Sequence, residues 1–353
     1  MFKKLRPLIF KFSPEVAHSL AIKALKSNLI PSNKVEEKSI LKTKLFGKKI
    51  KNPIGVAAGF DKNAEVYNPL FNLGFGFVEV GTITPEAQYG NPKPRVFRLE
   101  EDNALINRLG FNNSGLDEIS FRIKKDLANG FLGINIGPNK DTKNRVEDYL
   151  KCFRKFYNLG DYITINISSP NTENLRDFHN KNELEELLEA IQKEKSKLKS
   201  NIPIAVKISP DIENDQVENI AEILIKYFVD IAIISNTSDA NRENLKNINK
   251  LEKGGLSGKP IEKKSNDLIK IFYKMIGKNI KIIGVGGVDS GKSAMEKLLN
   301  GASLVQLYTG MVYNGPNIAS KISTELNDIL KNQGIKNISE IIGTKNWSWR
   351  SRS

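Results

Sequence analysis

In the stretch Tyr162-Ile-Thr-Ile-Asn-Ile-Ser-Ser-Pro-Asn-Thr172, the uncharged polar side chains of Asn166, Ser169, Asn171 and Thr172 fall close together. Such a set can hold a small planar molecule by hydrogen bonds and leave one hydroxyl for chemistry. An Asx or Ser turn closing an ordinary strand uses the same residue types. Lys62 and Lys207 are two further candidates. Each could stabilise negative charge on a bound cofactor or substrate, form a Schiff base, or pair with Asp61 and Asp211 respectively. The segment Asn107-Arg-Leu-Gly-Phe-Asn112 adds amides and the Arg108 cation. The histidines are His18 and His179 alone, the single cysteine is Cys152, and no carboxylate pair is evident. Hydrolysis, a Ser-His-Asp triad and a metal centre therefore fit poorly. Redox chemistry by a bound cofactor fits well, because the protein then supplies orientation, electrostatics and one base.

These residues need elements to carry them. The alternation of apolar and β-branched residues from Tyr162 reads as a strand over 162–167, and Pro170 must end it, since it cannot donate to a ladder. The same unit of apolar strand, polar turn and helical pattern recurs, giving strands over 54–58, 77–81, 132–136, 162–167, 203–208, 231–235, 281–285 and 303–307. Eight such units predict an α/β fold of the closed (β/α)8 TIM-barrel type. The long gap from Thr82 to Gly130 predicts an inserted loop or hairpin with a short strand over 95–99. In this fold, function sits after each strand. The residues there are Gly59-Phe-Asp-Lys62, Thr82, Asn135, Asn166 with Ser169, Lys207, Asn236-Thr237, Gly286-Gly287 and Tyr308-Thr309. Two glycine-rich loops, Gly254-Gly-Leu-Ser-Gly258 and Gly284-Val-Gly-Gly-Val288, with Tyr308-Thr-Gly310, suit a ligand phosphate held by backbone N–H groups.

Ahead of the barrel, 1–40 reads as an amphipathic helical extension, 41–340 as the barrel, and 341–353 as a tail bearing two tryptophans. Leu5, Leu8, Ile9 and Phe12 recur at helical spacing among lysines and arginine, then Ser13-Pro14 begins a second helix. This basic pair suits a membrane surface or a cap on the barrel core. Residues 31–44 read as a polar linker or edge segment. The 353-residue chain carries 54 Lys and Arg against 40 Asp and Glu, so its charge of +14 suits anionic partners or a lysine-rich solvated surface. No run reaches the roughly 18 apolar residues needed to cross a bilayer, and no signal peptide is evident. Cys152 reads as a packed helix residue in a chain suited to a reducing cytoplasm.

Together, Ile165-Asn-Ile-Ser-Ser-Pro-Asn-Thr172, Ala57-Ala-Gly-Phe-Asp-Lys62, Gly254-Gly-Leu-Ser-Gly258 and Ile283-Gly-Val-Gly-Gly-Val288 closely resemble class 2 dihydroorotate dehydrogenases, over roughly Phe12 to Asn317. The loop bears Ser169 where class 1 members carry a cysteine base. The resemblance implies FMN and the oxidation of dihydroorotate to orotate in pyrimidine biosynthesis. Ser169 would take the C5 proton, and the C6 hydride would pass to flavin N5. Ubiquinone or menaquinone would reoxidise the flavin. It further implies that Asn107, Asn166, Asn171, Asn236 and Thr237 bind the pyrimidine, with Lys62, Arg108, Leu109, Gly110 and Phe111 around them. FMN would be held by Ala58, Gly59, Phe60, Asp61, Lys62, Thr82, Asn135 and Asn166 from the first half of the barrel. Lys207, Ser235, Gly258, Gly287, Tyr308 and Thr309 would complete that site, with Lys207 near the flavin N1/O2 edge. His18 and Arg98 match polar residues of a quinone channel in the extension, although a half-buried helix residue explains His18 equally well. No metal and no nucleic acid are expected, and the place implied is the cytoplasmic face of the inner membrane, bound peripherally. A lid over 172–181 is a further expectation. Two other readings compete: a flavin-dependent reductase like the tRNA-dihydrouridine synthases, and a barrel that binds a phosphate ligand without catalysis. The first expects an active-site cysteine and a helical C-terminal domain, neither of which the sequence offers.

Overall fold

The computed structural model describes residues 2–30, 37–240 and 242–346. Eight parallel strands close into a barrel: Ile54–Val56, Phe77–Ile83, Phe131–Ile136, Tyr162–Asn166, Ile204–Ile208, Ile231–Ile234, Lys281–Val285 and Leu304–Leu307. They pair in chain order and the eighth returns to the first. Nearly every strand residue is buried, which is why these segments read as continuous apolar runs. Each of the eight expected strands is present, with ends shifted by at most two residues.

Three features differ from expectation. Residues Thr43–Leu45 and Lys48–Ile50 form an antiparallel hairpin whose first two residues fall in the segment read as a linker or edge. Leu45 and Ile50 from it join Phe77, Phe131, Tyr162, Ile231, Ile283 and Leu304 in an apolar cluster. With one buried residue per three-residue strand, the hairpin has too short a period to register in the sequence. The long insertion does contain the expected strand, at Val96–Leu99, but as one edge of a three-stranded antiparallel sheet with Ala104–Asn107 and Gly255–Gly258. The glycine-rich segment Gly254–Gly258 is therefore largely a strand, its glycines admitting close approach: a Cβ on Gly258 would stand 2.4 Å from the Asn103 carbonyl oxygen.

The extension forms helices Phe2–Ile9 and Pro14–Lys26, the second capped by the Ser13 hydroxyl accepting from the Val16 N–H. Ile22 and Leu25 reach the barrel core, while Leu5, Leu8, Phe12, Val16 and Leu20 stay exposed. At the other end, the Gly343 N–H donates to the Leu298 carbonyl and Lys345 pairs with Glu296, so the tail as far as Asn346 lies on the barrel. Residues 31–36 of the expected linker and the tryptophans of the tail lie outside the described residues.

Candidate active site

The barrel interior is stratified. Above the apolar floor, Glu79 is fully buried and accepts from Asn135 Nδ2 at 2.8 Å, Tyr162 Oη at 2.9 Å and Gln306 Nε2 at 2.9 Å. A buried carboxylate needs such partners to offset its lost hydration. Asn135 Oδ1 in turn accepts from the Thr82 hydroxyl and from Asn166 Nδ2.

Above this layer a cavity of about 170 Å³ opens at the carboxyl ends of the strands. Ser169 lines it, 6 % exposed, and its Oγ accepts the Asn171 N–H at 3.2 Å. Pro170 ends the strand as expected and leaves Ser169 and Asn171 on one wall. Asn171 Nδ2 donates to Asn107 Oδ1 at 3.3 Å, tying this loop to the overlying sheet. Asn236 and Thr237 face the cavity from the sixth strand's end, with Leu109, Gly110 and Phe111 from the insertion. Asn166 lines the cavity too, but its amide is fully used. Nδ2 donates to Thr82 and Asn135, and Oδ1 accepts from the N–H and hydroxyl of Ser168.

Both lysines reach the cavity without a carboxylate partner among the described residues. Asp61 instead accepts from the N–H groups of Glu65 and Val66, and Asp211 pairs with Arg176 and Lys264. Burial pushes the Lys207 ammonium below its ordinary range, with attraction from Glu79 opposing it. Lys62 is pushed down to about 8, chiefly by lost hydration, against attraction from Glu15. Two lysines in one cavity suit an anionic ligand.

Ala58, Gly59, Thr82, Ser235, Gly258, Gly287, Tyr308 and Thr309 also line the cavity. Gly287 has φ +76, and the N–H groups of Gly287 and Val288 meet no protein acceptor among the described residues. A loop of free N–H donors at a cavity edge is suited to a phosphate.

Four expected residues lie elsewhere. Arg108 pairs with Glu252, stacks on Phe97 and points away from Asn107's side, because neighbouring residues of an extended segment face opposite ways. Asp61 caps its own loop, Asn135 sits one layer below, and Phe60 packs edge-on against His18 and Tyr308. The expected lid is a 3-10 turn, Leu175–His179, with Leu175 and Phe178 in the core and Arg176 bound to Asp211, Asp239 and the Ser168 carbonyl. Cys152 is buried in its helix, away from the cavity. Sequence reasoning missed Glu79, Gln306, Ser168 and Ser257, whose hydroxyl meets Thr309 Oγ1 at 2.8 Å. A glutamate inside Phe-Val-Glu-Val and a glutamine inside Leu-Val-Gln-Leu are the signals that were available, since a polar residue facing a barrel interior is costly unless partnered.

On the extension's side, His18 is half-buried and lies against Tyr308 and Phe60. Arg98 donates to the carbonyls of Phe10 and Phe12 and stacks on the Phe10 ring at 4.4 Å.

A closed barrel whose carboxyl-end cavity holds Lys62, Lys207 and the Ser169 hydroxyl suits a barrel enzyme of the oxidoreductase class. The family model for dihydroorotate dehydrogenase matches residues 40–330. The dihydroorotate dehydrogenase (quinone) of Bartonella tribocorum is 46% identical over 340 residues, covering 95% of this chain and 94% of the relative. The enzyme of that name from Agrobacterium fabrum is 43% identical over 349 residues, covering 98% and 96%. Among solved structures, DHODH from Eimeria tenella in complex with ferulenol superposes with a TM-score of 0.92 at 36% identity, covering 95% of this chain and 96% of that one. The chain belongs to the dihydroorotate dehydrogenase family.

Proposed function

We propose that this chain oxidises dihydroorotate to orotate and delivers the electrons to a quinone, using FMN. The observation that carries the reading is one cavity joining Ser169, Lys207, the asparagine set and a loop of free N–H donors. FMN, when bound, would supply an acceptor for the hydride from C6 of the substrate and a carrier of its electrons to the quinone.

The chain's own residues do the rest. Ser169 Oγ takes the C5 proton as its own hydroxyl proton passes to solvent water, and the Asn171 N–H donating to that oxygen stabilises the alkoxide character it needs to act as a base. Asn107 and Asn236 each keep an amide N–H for the carbonyl and carboxylate oxygens of the pyrimidine, while Lys62 favours its anionic form. Lys207 would supply positive charge to the reduced cofactor, and the N–H groups of Gly287 and Val288 would hold its phosphate.

The extension, residues 1–40, forms the quinone side, with His18 and Arg98 at its polar points. Its exposed Leu5, Leu8, Phe12, Val16 and Leu20, beside Lys3, Lys4 and Lys11, rest on the cytoplasmic face of the cell membrane. No helix among the described residues is long and apolar enough to cross a membrane.

The test is the visible spectrum of the purified protein before and after anaerobic dihydroorotate. The expected result is a flavin band that bleaches, then returns with a soluble quinone but not with NAD or fumarate. A flavin band that dihydroorotate leaves unchanged would refute the reading.

A further inference from the structure

We propose that Glu79 is a positioning residue for substrate recognition: its carboxylate sets the direction of a hydrogen-bond chain that ends at Asn236 in the cavity wall. The inference rests on the reading that Asn236 meets the substrate.

The chain can be followed atom by atom. Glu79 Oε1 accepts from Asn135 Nδ2 at 2.8 Å. Asn135 Oδ1 accepts from Asn166 Nδ2 at 3.2 Å, and Asn166 Oδ1 accepts from the Ser168 hydroxyl at 2.9 Å. Ser168 Oγ accepts from Asn236 Nδ2 at 2.8 Å, and Asn236 Oδ1 accepts from the Thr237 N–H at 2.8 Å. Every hydrogen points back toward Glu79.

An amide side chain can present either its oxygen or its nitrogen, and a hydroxyl can rotate, so each of these links could be reversed on its own. A carboxylate has no such choice, because it only accepts. At the far end the backbone N–H groups of Ser168 and Thr237 only donate, and they require the oxygens of Asn166 and Asn236. Fixed groups at both ends thus agree on one orientation. Its result at the cavity is that Asn236 has its oxygen engaged and one N–H left over, a donor for a ligand oxygen. Without Glu79 the Asn135 amide loses its acceptor, and the orientation of the chain rests on the two backbone N–H groups alone, so each link is held less firmly.

The test compares Glu79→Gln with Glu79→Leu in the flavin-loaded protein. Orotate affinity is read from the perturbation of the flavin spectrum, alongside KM and kcat for dihydroorotate. In Glu79→Gln, Oε1 still accepts from Asn135. The new N–H groups face Tyr162 and Gln306, whose own Oε1 is buried without a partner and free to accept. Orotate affinity should stay within roughly twofold of wild type. In Glu79→Leu, orotate affinity should fall by roughly tenfold or more, with KM rising more than kcat falls, as expected for a buried donor left unsatisfied. Equal affinity in Glu79→Leu and wild type, or an equally large loss in Glu79→Gln, would overturn the proposal. Ser168→Ala cuts the chain midway and leaves the barrel layer intact. It should weaken orotate similarly, with no further loss when combined with Glu79→Leu. Full orotate affinity in Ser168→Ala would overturn the proposal even if Glu79→Leu failed to fold. A wild-type protein that does not bind orotate would refute the functional reading instead, so the two failures are distinguishable.

Discussion

The imidazole of His18 lies nearly parallel to the phenol of Tyr308, with ring centroids 6.5 Å apart and planes inclined by 18°. Tyr308 also lines the cavity, so the second helix of the extension continues the aromatic wall of the active site. Lost hydration pushes the His18 pKa down to about 3, and the nearby Lys62 cation adds to the effect. The imidazole is therefore neutral at physiological pH, so on the proposed function a quinone beside it would meet a hydrogen-bonding ring without charge.

Replacing Ser169 by alanine should lower kcat by roughly a hundredfold or more, the range for loss of a positioned proton acceptor. Flavin content should match wild type, because Ser169 faces the substrate side. Single-turnover reduction of the flavin measures the effect, and near-normal reduction would remove Ser169 from its role.

A methyl group at Gly287 should cost the protein its flavin. A Cβ there would stand 2.4 Å from Glu262 Cβ, and φ +76 is unfavourable for any L side chain. Gly287→Ala should purify with a lower flavin-to-protein absorbance ratio and regain colour only at high added FMN. A ratio equal to wild type would show that this loop does not hold the phosphate.

Acid should weaken the fold through His179. Its Nδ1 donates to the Arg176 carbonyl at 2.9 Å, and its Nε2 accepts from the Ser209 N–H at 3.2 Å, which only the neutral ring can do. Burial lowers its pKa to about 4 in the folded chain, below the ordinary 6.5 of the unfolded one. The unfolded state then binds the proton first. The stabilisation is complete above pH 6.5 and is lost as pH falls toward 4, by about 3 kcal/mol in all. Thermal unfolding of wild type and His179→Asn across that range checks this. The variant should have a lower Tm at neutral pH and a shallower decline, and parallel curves would exclude His179 as the source.

Charge on the exposed face of the extension should detach it from lipid. Leu8 and Leu20 are 58% and 47% exposed, and burying such a side chain in a bilayer is worth about 2 kcal/mol. Leu8→Glu and Leu20→Glu should each weaken binding to anionic vesicles by roughly tenfold or more, while anaerobic bleaching by dihydroorotate stays intact. Unchanged vesicle binding would point to another contact surface.

Particular residues show what the sequence could and could not disclose. The barrel was legible because strands buried on both faces must be apolar throughout, as in Ile231–Ile234, and each ends in a polar or glycine residue. Ser169, Lys62 and Lys207 were legible for the same reason, as hydroxyl and cations placed just past such runs. Arg108 misled because adjacency in sequence says nothing about which side of an extended segment a side chain takes. The strand Gly255–Gly258 was hidden because its pairing with Ala104–Asn107 spans about 150 residues, and glycine signals a turn when its partner is unknown. Glu79 was passed over because its neighbours Phe77, Val78 and Val80 are apolar, and its donors come from three other strands that only the closed barrel brings together.

The hairpin beneath the barrel decides where this molecule could be divided. Its residues Leu45 and Ile50 precede the first barrel strand yet seal the floor, and Ile40 and Leu41 just before it belong to the main core. Anyone wishing to graft the helical pair of a relative onto this barrel, or to remove the pair altogether, must therefore join or cut ahead of Ser39. A cut at the first barrel strand would leave an open drain under the active site.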